Sequence, residues 1–119
     1  MTGQAEGMPV ALSGPAAIEP VWLVEATYAP DAAETRVPFR AEHLANLRAL
    51  KRQAVVVEAG AFADVSASII IVRAADEGAA LDLFRDDVYA RNGVWVELRA
   101  RPFGRVTDEP ADAGPRGDD

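Results

Sequence analysis

The sequence predicts an α+β fold with its elements in the order β-α-β-β-α-β, and three observations carry that prediction. Four short segments rich in β-branched and aromatic residues are bounded by turn signals. Two further segments repeat their apolar residues at helical spacing. The two kinds follow one another in that order between residues 21 and 106.

The first strand is Val21–Tyr28, which stops at the turn signal Ala29-Pro30-Asp31. From Pro38 to about Arg52 the pattern becomes helical: Leu44, Leu47 and Leu50 recur on one side, with Glu42, Arg48 and Lys51 around the other. Pro38 suits the first turn of that helix. Val55–Ala59 gives a second strand running into Gly60, and Ser68–Val72 a third. Asp76 is placed to cap a second helix in which Ala80, Leu81 and Phe84 face inward, with Gly78 weakening it slightly. Asn92-Gly93 closes a turn. The fourth strand then alternates, Val94, Val96, Leu98 and Ala100 to one side and Trp95, Glu97, Arg99 and Arg101 to the other.

This is the split βαβ order of ferredoxin-like folds, an antiparallel four-stranded sheet with right-handed crossovers, the first and third strands central and the second and fourth at the edges. Residues 69–72 are apolar on both faces, as a central strand requires. Two helices can cover only one face of such a sheet, and a core of this size buries roughly 60–65% of its unfolded surface. A second copy of the chain is the expected cover for the other face, giving a homodimer with a partly polar cavity lined by residues such as Trp95 and Arg99.

The chain has 119 residues and a formal charge of −7. That charge is not spread evenly. Residues 1–20 carry two acids and no base, 21–106 carry 12 acids and 11 bases, and 107–119 carry five acids and one base. The ends also hold five of the eight prolines and five of the nine glycines, so residues 1–20 and 107–119 are expected to be flexible tails flanking one domain at 21–106. An acidic chain with a nearly neutral core lacks the basic patch that nucleic acid requires. No apolar run is long enough to span a membrane and no basic, apolar leader opens the chain, so a cytoplasmic protein is expected. The absence of Cys excludes disulfides, thiol nucleophiles and Cys-ligated metals, and a single His excludes multi-His metal sites. No glycine-rich phosphate loop or metal-ligand spacing occurs, and neither Ser66 nor Ser68 has the context of a serine nucleophile. No cofactor and no metal are expected.

His43 is the one side chain that titrates near neutral pH when unperturbed. Arg40 and Leu47, three before and four after, share its helix face, which sets the imidazole at the edge of the apolar stripe, where it can act as a general acid or base or simply close the core. An acidic partner is needed to fix its tautomer, and the candidates are Asp31, Asp64, Asp86 and Asp87. Asp86 and Asp87 are expected to end the second helix, where the dipole disfavours negative charge. Arg40 could clamp a carboxylate or oxyanion.

Arg40-Ala41-Glu42-His43-Leu44 with Leu47, Gly60 after the second strand, Phe84-Arg85-Asp86-Asp87-Val88-Tyr89 with Gly93, and Arg101-Pro102-Phe103 together resemble the YciI-like (YCII-related) family. The resemblance covers about 85 residues and leaves both tails unmatched. It implies a ferredoxin-like fold that dimerises into an α+β barrel, and a His-Asp pair with catalytic function. His43 matches the histidine of the R-x-x-H-L motif and Asp87 the aspartate of the D-P-Y segment, with Asp86 beside it; Val88 stands where that segment has proline. A member of the family removes chloride from a chlorinated hydroquinone. The implied activity is a cofactor-independent lyase or isomerase of dehydrochlorinase-like type acting on a small molecule, with His43 and Asp87 (or Asp86) catalytic and Arg40, Tyr89 and Trp95 binding substrate. The alternative is a non-catalytic dimeric protein that binds a small ligand. A cofactorless monooxygenase is a third reading, against which the few aromatic residues available to a cavity, Trp22, Trp95 and Tyr28, argue.

Overall fold

The structure, a computed structural model, describes residues 17–108. Of the expected tails, residues 1–16 and 109–119 lie outside the described residues. The elements are β1 (Ile18–Tyr28), α1 (Ala32–Thr35), a 3₁₀ turn (Val37–Phe39), α2 (Arg40–Arg52), β2 (Val56–Ala61), β3 (Ala67–Val72), α3 (Glu77–Arg85), α4 (Val88–Arg91) and β4 (Trp95–Val106). The strands lie in the order β2-β3-β1-β4, so the first and third are central, as the β-α-β-β-α-β order demands. β1 runs antiparallel to β3 from Trp22 opposite Val72 to Thr27 opposite Ala67. β2 runs antiparallel to β3 from Val56 opposite Val72 to Ala61 opposite Ser68, with a bulge between Val56 and Glu58.

The period-2 alternation decides which face is buried. On β1, Val24, Ala26 and Tyr28 are buried; on β3, so are Ser68, Ile70 and Val72. Phe84 and Ala80 of α3, Val88 and Tyr89 of α4, and Val94 complete one contiguous core. Burying an aliphatic or aromatic side chain of this kind is worth about 1.5–3 kcal/mol, so the helix-covered face supplies most of the cohesion. On the other face, Leu23, Glu25 and Thr27 face Ile71, Ile69 and Ala67 and are only half-buried.

Asp76 caps α3 as expected, its Oδ1 accepting from the Ala79 N–H at 2.8 Å. Elsewhere the boundaries differ for identifiable reasons. Pro38 lies in the 3₁₀ turn, second after Val37, and the α-helix proper starts at Arg40. β1 begins at Ile18 rather than Val21: Thr107 N–H donates to the Ala17 carbonyl at 2.7 Å and Arg105 pairs with Glu19 at 2.9 Å, while Pro20 lies outside the stretch paired with β3 and breaks no ladder there. Residues 21–103 form one compact unit and the described ends form another. α1 and α4 are single turns, too short to leave a periodic signal in a window of about 11–18 residues.

Strict alternation fails where β4 begins. Val94 and Trp95 are both buried, and Val96 is 60% exposed. Val94 is held in the preceding turn, its N–H on the Tyr89 carbonyl and its own carbonyl taking the Ala29 N–H, with Gly93 supplying a backbone φ of +73°. Trp95 then packs into the helix layer. Leu98 and Ala100 resume the inward face. Among the described residues no helix is long and apolar enough to cross a membrane.

Candidate active site

The one buried residue of α2 is His43 rather than a leucine. Leu44 is 41% exposed, and Leu47 and Leu50 are partly buried, so the helix is turned to put the imidazole at the centre of its inward stripe instead of the edge. Aromatic rings make room for it. The His43 ring stacks on Tyr89, centroids 3.8 Å apart and planes 11° from parallel, and meets the edge of Trp95 at 4.9 Å and 89°. Trp95 in turn meets Phe84 edge-on at 6.2 Å. Such contacts fix the plane of the ring.

The rotation of the ring within that plane is set by Asp87. His43 Nδ1 lies 2.8 Å from Asp87 Oδ2, and both side chains are buried. The same oxygen accepts the Tyr89 N–H at 2.9 Å. Asp87 has φ −61° and ψ 147° and caps α4, so it opens a helix instead of ending one, and the local dipole favours its charge. The expectation that Asp86 and Asp87 close the same helix is corrected on this point: α3 ends at Arg85, the chain turns through Asp86, and α4 starts after Asp87. Asp86 is exposed, and its carbonyl rather than its carboxylate is engaged, by Arg91 Nε at 2.9 Å. Asp31 is also exposed, and Asp64 sits in the β2–β3 hairpin, where hydrogen bonds from Ser66 hold its carboxyl below the ordinary value.

An ionised carboxylate is acceptor-only, so Asp87 places the imidazole proton on Nδ1 and leaves a lone pair on Nε2. Of the sealed polar side-chain atoms among the described residues, Trp95 Nε1 is the one without a partner. His43 Nε2 and the Tyr89 hydroxyl also make no hydrogen bond among the described residues; neither is sealed, because both residues line a pocket of about 180 Å³. Tyr28, Arg36, Arg40, Leu44, Leu47 and Ser68 share its wall. In it, Ser68 Oγ donates to the Tyr28 hydroxyl at 3.1 Å. Among the described residues no group of three or more His, Asp or Glu converges as a metal site.

Burial raises the Tyr89 phenol above its ordinary 10.0, with the neighbouring Tyr28 adding to the effect, while Arg36 and Arg40 pull the other way and Asp87 adds a little. The folded state therefore keeps a proton that the unfolded chain gives up once the pH passes about 10, so the associated stability is complete below that pH and is lost above it. Urea unfolding at about pH 9 and about pH 11.5 is expected to show a smaller loss of stability in Tyr89→Phe than in the wild type.

The positions read from the sequence divide cleanly. His43, Asp87, Tyr89 and Arg40 come together. Trp95 does not line the pocket; it lies behind the imidazole as part of the core. Arg99, expected to share a cavity with Trp95, instead pairs with Glu25 at 3.9 Å and Glu97 at 3.6 Å and lines a separate depression of about 350 Å³ with Glu77 and Leu81. Arg36 and Ser68 were not expected at the site. Arg36 belongs to no periodic segment, and Ser68 is delivered by the sheet register.

The sequence profile of the YCII-related domain matches residues 21–104. The chain belongs to the YCII-related family. No curated relative matches it. Among solved structures, 5-chloro-2-hydroxyhydroquinone dehydrochlorinase from Burkholderia phenoliruptrix AC1100, in complex with 2,5-dihydroxybenzoquinone, is similar with a TM-score of 0.60 at 20% identity, over 70% of this chain and 92% of that one. The likeness is one of fold.

In this YCII-related chain Val88 takes the place of the D-P-Y proline, and the turn survives the exchange. Asp87 already has the extended backbone that precedes proline, and Val88 occupies the first position of α4, where a missing N–H costs nothing. Val88→Pro is expected to change stability by no more than about 1 kcal/mol in equilibrium unfolding and to leave the His43 contact in place.

Proposed function

We propose that this protein is a cofactor-independent enzyme of lyase or isomerase type acting on a small molecule, with His43 as acid/base, Asp87 as its orienting carboxylate and Arg40 holding an anionic group of the substrate. The observation that carries the reading is the 2.8 Å contact between two buried, complementary groups beside an open pocket. A proton leaving a substrate carbon or oxygen passes to His43 Nε2, and the imidazolium formed is stabilised by the carboxylate on its far side. The electron pair left behind either expels a leaving group from the adjacent carbon or is reprotonated elsewhere, which are the lyase and isomerase outcomes. Asp86 has no part in this, since its exposed carboxylate does not reach the ring.

The fold is shared with an enzyme described as a dehydrochlorinase and bound to a dihydroxybenzoquinone, which supports small oxygenated rings as the first compounds to try. The test is turnover of a panel of small phenols, chlorinated hydroquinones and hydroxy acids by wild type and by His43→Ala. Loss of about 10²–10⁴-fold is expected for any compound turned over, and retention of full turnover ends the proposal.

A second copy of the chain covering the half-buried face formed by Leu23, Ile69 and Ile71 completes this reading as a dimeric barrel. Phe62, 53% exposed at the end of β2, adds to the apolar surface available. Sedimentation equilibrium at micromolar concentration is expected to give twice the mass of one chain; a stable monomer rejects the dimer.

A further inference from the structure

The pocket beside His43 holds more positive charge than an acid/base pair uses. Arg36, following α1, and Arg40, opening α2, both line it, and neither guanidinium makes an ion pair or hydrogen bond among the described residues. Among the described residues Arg85, Arg91, Arg99 and Arg105 pair with carboxylates, while Arg48, Arg52 and Arg101 are unpaired on the exposed surface; Arg36 and Arg40 differ from those three in sharing the wall of the pocket that His43 lines. No carboxylate among the described residues lines the pocket; Asp87 lies behind the imidazole, its Oδ2 bonded to His43 and to the Tyr89 N–H. Two guanidinium groups on the wall of one small pocket, with one carboxylate behind the imidazole to set against them, leave the pocket net positive, and an anion between them is favoured.

The rest of the wall limits what that anion is attached to. Leu44 and Leu47 from α2 and Ile70 from β3 are aliphatic, which calls for an apolar frame. The hydroxyls of Tyr28 and Tyr89 supply donors: Tyr28 already accepts from Ser68, so its own proton is available, and the Tyr89 hydroxyl has no partner among the described residues. The Tyr89 phenol, raised by burial, stays protonated at neutral pH. A volume of about 180 Å³ has room for one substituted ring.

We infer that the site takes a one-ring organic acid whose oxyanion lies between Arg36 and Arg40 and whose second oxygen accepts from Tyr28 and Tyr89, which makes Arg36 a specificity-determining residue. This rests on the pocket beside His43 being the reactive site, and it names the class of molecule that the acid/base reading leaves open. The probes are 2-hydroxybenzoate and its uncharged analogue 2-hydroxybenzamide, titrated calorimetrically into the full chain at neutral pH and low salt. The wild type is expected to bind the carboxylate about tenfold or more tighter than the amide. Arg36→Gln is expected to bring the two within about threefold of each other, and Arg36→Lys to keep part of the preference. Arg36 is half-exposed and unpaired among the described residues, so its variants are expected to unfold at the wild-type temperature, which a melting curve checks. Equal binding of the two probes by the wild type, no binding of either, or an unchanged preference in Arg36→Gln overturns the inference. The acid/base reading fails on a different result, full turnover in His43→Ala.

Discussion

Replacing Asp87 by asparagine is expected to lower turnover by about 10²–10⁴-fold while leaving the protein folded. Asparagine caps a helix about as well as aspartate, so an amide oxygen in the place of Oδ2 still takes the Tyr89 N–H. It cannot supply the negative charge that stabilises an imidazolium. Asp87→Ala separates the two roles: it loses the charge and also the cap, worth about 0.5–2 kcal/mol, and leaves the buried Nδ1–H of His43 unsatisfied at a further cost of about 1–3 kcal/mol. Comparable turnover loss in the two variants, with destabilisation confined to the alanine, is the expected pattern in steady-state rates and urea unfolding. An asparagine variant that turns over like the wild type removes Asp87 from the chemistry.

Trp95 is expected to give the largest effect on stability. It is 3% exposed and touches both the His43 and Phe84 rings, so Trp95→Ala removes a large buried side chain at about 3–5 kcal/mol, a substantial part of the about 5–15 kcal/mol that holds a small domain together. Trp95→Phe is expected to cost far less, within about 1 kcal/mol. The reason is that the indole N–H is sealed without a partner, and removing an unsatisfied donor relieves a penalty of about 1–3 kcal/mol that offsets the lost contact area. Thermal or urea unfolding distinguishes the outcomes: a phenylalanine variant as unstable as the alanine one means that the indole nitrogen is bonded in solution. Tilting of the imidazole follows the same order, so the alanine variant is also expected to lose more activity.

The strand and helix order was legible because each main element carries its own period and its own stop signal: β1 stops at Tyr28, just before Ala29-Pro30, α3 starts after its cap Asp76, and Ile69–Val72 reads as a strand covered on both faces. The sheet order confirms the β-α-β-β-α-β arrangement. What was not legible came from single turns and from packing between elements. Nothing in Ala32–Arg36 repeats, so the turn that carries Arg36 to the pocket was invisible. Asp86 and Asp87 read as the end of one helix, because a second helix of four residues leaves no stripe of its own. Trp95 was assigned to a strand face by alternation, which holds only where neighbouring strands set the orientation; at the strand's first residue the aromatic layer set it instead. Asp87 was singled out by the family resemblance, since residue spacing alone left four aspartates equally eligible.

Asp87 Oδ2 serves a ring nitrogen and a main-chain amide at once, and this decides how the imidazole responds to motion. Its bearing is referenced to the peptide of Tyr89, the same residue whose aromatic face supports it, so the nitrogen opposite the carboxylate is aimed from a single rigid mount. A glutamate at position 87 carries one more rotatable bond and could keep the ring or the amide within reach, but not both with one oxygen in the same place. Of the two acidic residue types, only the shorter can hold this aim.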